Sequence, residues 1–278
     1  MDTTARIIEK QDLTELTKLF VVHAPLVARN AGPGQFVIVR VTETGERIPI
    51  SITDFDRAAG TITIVVQQVG RSSALVNALR VGDEFLDFAG PLGVAVPLPA
   101  EGHAVLVGGG FGTGALFPLA RELRRRALRV SSIVGARTKD LVVLTDLLGS
   151  ESDELYVCTD DGSAGYRGLV TGCLEERIEA GAAFTHCFAV GPIPMMRAVA
   201  DTTSGKGIST MVSLDPLMLD GTGMCGGCRV HVGGRSFFAC VDGPFFDAHQ
   251  VDFDDAYDRL TTYREQETLA CELAGLRR

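Results

Sequence analysis

At 278 residues the chain has length for two domains with proper cores, and an apolar fraction of 46% with 32 glycines suits an α/β protein rich in tight turns. A formal charge of −9, with no basic block to offset it, argues against nucleic acid as a partner. The opening MDTTARIIEK is charged, and no uncharged apolar stretch is long enough to span a bilayer, so no signal peptide, no membrane contact and a cytoplasmic location are expected.

Residues 1–100 carry short β-branched runs, QFVIVRV and TITIVVQQV among them, broken by AGPG, AAG and VGD turns. That rhythm predicts an all-β region, an antiparallel barrel. Within it, ERIPISI reads as a strand whose alternation puts Arg47, Pro49 and Ser51 on one side, with Ile50 between the last two. The following VGRSSALVNAL reads as a glycine turn at Gly70 and a short helix N-capped by Ser72 or Ser73, a seat for a diphosphate. Taken singly, the two segments are equally an ordinary edge strand and an ordinary capped helix.

Residues 101–215 change rhythm. HAVLVGGG, RVSSIVGA, ELYVCTD, THCFAVG and ISTMVSL are apolar runs separated by segments of helical length, which predicts a doubly wound parallel sheet. After the first run, Gly108, Gly109, Gly110, Gly112 and Gly114 allow a tight turn and close approach of a phosphate. A helix starting near Thr113 then offers its N–H groups to a pyrophosphate, although such a turn also occurs in α/β folds that bind no nucleotide. The acidic ribose ligand expected after the second run is replaced by Arg137, Thr138 and Lys139, which leaves both NAD(H) and NADP(H) open. Asp160 and Asp161 after the third run, and Gly191 and Pro192 after the fourth, sit where open α/β sheets bind ligands. Turn capping and helix initiation explain the same residues.

Residues 216–278 hold DGTGMCGGCRVHVGGRSFFAC and an acidic tail, VDFDDAYDRL, read as a short amphipathic end or a partner contact. Seven cysteines, three of them clustered, point to reduced thiols and a metal centre, with Cys158, Cys173 and Cys187 as core residues. Cys225, Cys228 and the more distant Cys240 follow the plant-type 2Fe-2S spacing, C-x4-C-x2-C and a fourth ligand, with Asp220 in the first place. Soft thiolates stabilise ferric iron and bridging sulfide, and the glycines between them let the backbone wrap closely. A tetrahedral zinc site, a thioredoxin-like pair, and Cys271 as fourth ligand in place of Asp220 are the competing readings.

In its order of barrel, GPLG turn (Gly90–Gly93), nucleotide domain and cluster loop, the chain resembles the ferredoxin-NADP reductase superfamily. Within it, the chain is similar to the electron-transfer subunits of dihydroorotate dehydrogenase B. It looks still more like the small subunits of electron-bifurcating NADH-dependent ferredoxin:NADP oxidoreductases, on the runs DGTGMCGGCRV and FACVDGPFFDAHQVDFD. In those subunits an aspartate replaces the first cysteine. The resemblance implies FAD at Arg47, Pro49, Ile50, Ser51, Gly70, Ser72 and Ser73. It departs from the superfamily motif in that Arg47 stands four residues before Ser51, where three is the rule. It further implies NAD(H) or NADP(H) over the GGGFGTG turn and a 2Fe-2S cluster on Asp220, Cys225, Cys228 and Cys240. Hydride then enters, single electrons leave, and no acid-base catalyst is needed. The implied partner is a large iron-sulfur flavoprotein subunit in a heterodimer, with ferredoxin reached through the complex. The alternatives are a dihydroorotate dehydrogenase B electron-transfer subunit and a zinc-stabilised binding module without redox activity.

Overall fold

The computed structural model describes residues 4–276. The first strands are β1 (Ala5–Asp12) and β2 (Thr17–His23), followed by helix α1 (Pro25–Asn30), then β3 (Phe36–Arg40), β4 (Ile48–Asp56) and β5 (Thr61–Gln67). Helix α2 (Arg71–Ala78), β6 (Glu84–Phe85) and β7 (Asp87–Leu92) complete the region. The antiparallel sheet runs β6-β1-β2-β5-β4-β3-β7. Its two edge strands are separated in the chain only by Leu86, so the sheet curls until its edges meet, as a barrel does. Phe20 and Val22 of β2 and Ile62, Ile64 and Val66 of β5 point inward with the strand period of two and are buried. Full burial of each such side chain stabilises the barrel by about 1.5–3 kcal/mol. The GPL of the expected GPLG turn is strand β7; only Gly93, with φ +74°, turns the chain.

The five apolar runs of the second region are parallel strands: β8 (His103–Gly109), β9 (Arg129–Ala136), β10 (Glu154–Thr159), β12 (His186–Val190) and β13 (Ser209–Ser213), with a short β11 (Tyr166–Arg167) beyond β10. They are joined by helices α3 (Thr113–Arg125), α4 (Thr145–Ser150), α5 (Val170–Glu179) and α6 (Ile193–Thr203). The order is β11-β10-β9-β8-β12-β13, closed by an antiparallel strand from the C-terminal region. Leu116, Leu119 and Leu123 of α3 pack with Leu148 of α4 on one face, while Cys173 and Leu174 of α5 join Met196 and Val199 of α6 on the other. Because strands are added outward from β8 first in one direction and then, from β12, in the other, the crevice between β8 and β12 is the topological switch point.

The remaining elements are the hairpin β14 (Arg229–Val232) and β15 (Arg235–Phe238), helix α7 (Ala239–Asp242), strand β16 (Phe245–Asp247), and helices α8 (Phe253–Thr261) and α9 (Arg264–Leu273). Strand β16 is the one that pairs with β13, and α9 returns to pack on α2 of the barrel. Among the described residues no helix is long and apolar enough to cross a membrane.

Candidate functional site

Strand β3 pairs with Ile48–Ser51 and β5 only with Ile52–Asp56, so the first half of β4 has no neighbour on the β5 side. Pro49, lacking an N–H, is tolerated there. That gap opens a cavity of about 470 Å³ between the barrel and the parallel sheet. Pro49, Ile50 and Ser51 of β4, and Gly70, Ser72 and Ser73 at the start of α2, form its barrel wall. Gly112 and Gly114 of the nucleotide turn and Gly191 after β12 form the opposite wall. Residues chosen from two separate regions of sequence thus line one chamber.

The N-cap of α2 is Gly70, not Ser72 or Ser73. Ser73, three positions past the cap at N3, accepts from the N–H groups of Val69 (2.9 Å) and Gly70 (3.0 Å) and closes a capping box. The Ser72 hydroxyl donates to Glu46. A Cβ built on Gly70 has nothing within 4 Å, so the helix start faces open space that a diphosphate fits. Arg47 is held elsewhere: its Nη1 lies 2.8 Å from Asp87, which Arg40 also engages at 2.6 Å, and it does not line the cavity. The Arg40 hydrogen bond, first among several causes, holds the Asp87 carboxyl below its usual range.

Around the glycine turn the five glycines divide by role. Gly110 alone has positive φ, +58°, and a Cβ there meets nothing within 4 Å. Gly109 lies against Pro192 and Met195, and Gly112 so close to the Val190 carbonyl that a Cβ would sit 2.5 Å from its oxygen, which seals the switch point. Gly108 packs on Leu116 and Thr113 of α3. Gly114 serves domain packing, since its Cβ would stand 2.9 Å from Thr53 Oγ1 of β4. Thr113 is buried at the start of α3, its hydroxyl donating to the Gly110 carbonyl at 2.9 Å. Past β9 and β10, Arg137 and Asp160 lie on adjoining loops, tied by Asp161 N–H to the Arg137 carbonyl (3.3 Å). Asp161 accepts from Ser163 N–H at 2.9 Å, and Ser163's hydrogen bonds are the main reason its carboxyl is lowered, so it caps a turn.

The cysteine loop docks on the barrel, with Gly221 against Ile38 and Leu92. Gly221, Gly223 and Gly226 all take positive φ, which lets the backbone fold N–H groups inward. The hairpin then sets the spacing of two candidate ligands: Cys228 immediately precedes β14 and Cys240 follows β15, and the Arg229–Phe238 register draws them together to 3.1 Å between sulfurs. Both are buried, and burial first, then Cys228, pushes the Cys240 thiol up to about 12. Asp220 bonds the other cysteine. Its Oδ2 accepts from Cys225 N–H at 3.0 Å and its Oδ1 from Thr222 N–H at 2.6 Å. Hydrogen bonds from the Thr222 side chain first, then from the Cys225 thiol, hold the carboxyl far below its ordinary range.

Among the described residues no three such ligands converge on one point; the geometry gives two pairs, Asp220 with Cys225 and Cys228 with Cys240. One tetrahedral zinc calls for four donors about a single centre, whereas a two-iron cluster takes two donors at each iron. The donor set therefore fits 2Fe-2S. Cys271 is buried on α9, which packs against α2, while Asp220 is bonded to the loop itself. Cys158, Cys173 and Cys187 are buried in the core.

Sequence reasoning passed over Asp215, Phe111 and the α9 residues Glu267 and Ala270, which all line the cavity. Asp215 follows β13 at the carboxyl end of the parallel sheet, so the rule that singled out the loops after β10 and β12 applies to it too.

Residues 215–252 match the iron-sulfur cluster binding domain of dihydroorotate dehydrogenase B. The chain is 42% identical over 266 residues to the dihydroorotate dehydrogenase B (NAD(+)) electron transfer subunit homolog of Thermotoga maritima, covering 96% of this chain and 94% of that protein. It is 35% identical over 254 residues to the dihydroorotate dehydrogenase B (NAD(+)) electron transfer subunit of Geobacillus thermodenitrificans, covering 88% and 96%. Among solved structures, a chain of the NADH-dependent reduced ferredoxin-NADP oxidoreductase, studied for flavin-based electron bifurcation, superposes with a TM-score of 0.92 at 40% identity and 98% coverage of both chains.

Proposed function

We propose, from the premise that the chain belongs to the family of dihydroorotate dehydrogenase B electron-transfer subunits and their homologues, that it is the flavin and iron-sulfur subunit of a ferredoxin:NADP oxidoreductase complex engaged in electron bifurcation. The observation that carries this reading is the meeting of three parts at one cavity. Barrel strand β4, the glycine turn after β8, and the segment from Ser213 to Met218 that leads into the cluster loop all line it.

A bound flavin supplies the conversion between hydride and single-electron chemistry, and a 2Fe-2S centre carries the single electrons. The chain's own residues bind and orient. Ile50 and Ser51 line the cavity where they would border a flavin ring, and the N–H groups of α2, with Gly70, Ser72 and Ser73, would hold an FAD diphosphate. Gly110, with its open flank, and the start of α3 at Thr113 take the pyrophosphate of NAD(H) or NADP(H). Gly191 and Pro192 would close the nicotinamide side, and Arg137, Asp160 and Asp161, outside the cavity lining on the loops after β9 and β10, would border the adenosine end. Asp220, Cys225, Cys228 and Cys240 hold the cluster. Arg47, bound to Asp87, contributes by fixing the start of β4.

The partner is a catalytic subunit of a larger complex, and we assign it as a large iron-sulfur flavoprotein through which ferredoxin is reached. The likeness over 98% of the chain to the ferredoxin-NADP oxidoreductase, together with Asp220 in the first ligand place, supports this over a dihydroorotate-oxidising partner. Anaerobic isolation with identification of the copurified protein tests it. Iron and acid-labile sulfide in equal amounts, FAD, and an iron-sulfur flavoprotein are expected; absence of iron and sulfide, or a dihydroorotate-oxidising partner, overturns the assignment.

A further inference from the structure

We infer that Asp215 is the charge-compensating residue of the flavin site, taking up a proton when the flavin is reduced and releasing it when the electrons leave. The inference rests on the reading of the cavity as the FAD site.

Asp215 stands on the wall formed by Ser213, Leu214, Met218 and Pro244, facing a chamber whose other walls are β4 and the nucleotide turn. Its side chain is exposed into that chamber, yet protein surrounds it, and burial pushes its carboxyl up to about 6, opposed only by its own backbone N–H. No cation among the described residues holds its charge. The other charged side chains of the chamber are Glu46, which accepts from Ser72, Arg71 at the start of α2, and Glu267 on α9. The elements packed directly on its segment, the end of β12 at Val190 and Gly191 and the Pro244 carbonyl that accepts from Leu214 N–H at 2.9 Å, bring no charge.

A hydride brings two electrons and one proton, so a ring that accepts it gains one negative charge. A like charge in the same low-dielectric chamber disfavours an ionised carboxylate. Asp215 therefore binds a proton from water on reduction. When both electrons have passed singly to the cluster, the ring's proton and the Asp215 proton return to solvent, so two protons accompany two electrons. Burial sets the lower edge of the coupling near pH 6, and its upper edge is the higher pH at which Asp215 gives up its proton even beside reduced flavin. Below the lower edge Asp215 is protonated in both states and the coupling is lost.

The test is a potentiometric titration of the flavin absorbance in holoprotein at several pH values between about 7 and 9. In the natural protein the reduction equilibrium should change about a hundredfold per pH unit, or about 59 mV, at the lower end of this range and break to about tenfold at the pH where Asp215 beside reduced flavin ionises, because a tenfold change in a two-electron couple is 29.6 mV. In Asp215→Asn it should change about tenfold per unit. Equal slopes in the two proteins overturn the inference while leaving the flavin site intact. If the variant retains no flavin, the reduced-minus-oxidised infrared spectrum of the natural protein decides: a new protonated-carboxyl band supports the inference and its absence overturns it. Natural protein isolated without flavin sinks the function proposed above and this inference with it.

Discussion

In the proposed ligand set Asp220 puts a hard oxygen donor where sulfur is the rule, and its carboxylate is held beside Cys225. Bonds from Thr222 and the Cys225 N–H fix the carboxylate ionised beside Cys225. Replacing it by thiolate softens one corner of the site without changing the other three ligands, and cluster potentials follow ligand charge and hydrogen bonding. Asp220→Cys should keep a 2Fe-2S cluster and shift both its reduction potential and its electron paramagnetic resonance spectrum; no change in either removes Asp220 from the ligand set. The proposed ligands stand out in the sequence because metal chemistry constrains spacing along the chain, and the fold brings them together as two pairs. Arg47 was not. Its partner Asp87 lies 40 residues away, and their meeting depends on β3 lying between β4 and β7, which no local pattern encodes.

At the scale of elements, the joint between barrel and parallel sheet is the contact of α3 with β4. Arg121 of α3 pairs with Asp54 and lies 5.0 Å from the Phe55 ring centroid, and Gly114 permits the close approach to Thr53. Gly114→Ala should gain up to about 1 kcal/mol of helix propensity and lose about 1–3 kcal/mol from the forced separation, a net destabilisation. Denaturant unfolding of the variant should show a lowered midpoint, and adding Thr53→Ala should restore most of it. The five parallel strands were readable as apolar runs because strands covered on both faces lose alternation. The GPL of GPLG reads as a turn yet ends strand β7, because glycine and proline mark turns in most sequences but are tolerated at a sheet edge. The N-cap of α2 differs from the sequence expectation for a related reason: a serine at N3 closing a capping box looks, in sequence, like a serine at the cap.

At the scale of the molecule, the three regions expected along the sequence interlock rather than follow one another. The last region sends β16 into the parallel sheet and α9 onto the barrel, while its cysteine loop lies on β3 and β7. Such long-range returns are invisible to periodicity. The cysteine loop between β13 and β16 has one short hairpin and a run of left-handed glycines, and a bound cluster would add cross-links that this sparse secondary structure lacks. Removing iron with a chelator should speed amide hydrogen exchange in Asp220–Cys228 strongly while β8, β12 and the barrel strands keep their protection; loss of protection throughout would show that the cluster holds the whole chain together. The ladder register carries a further implication. Ser213, where the chain leaves β13, is paired directly with Phe245, where it re-enters at β16, so the intervening stretch begins and ends at adjacent points on one rigid base. A cassette mounted in this way can be lengthened, traded for one with another redox potential, or shortened to a plain hairpin, while the strands that carry it stay as they are.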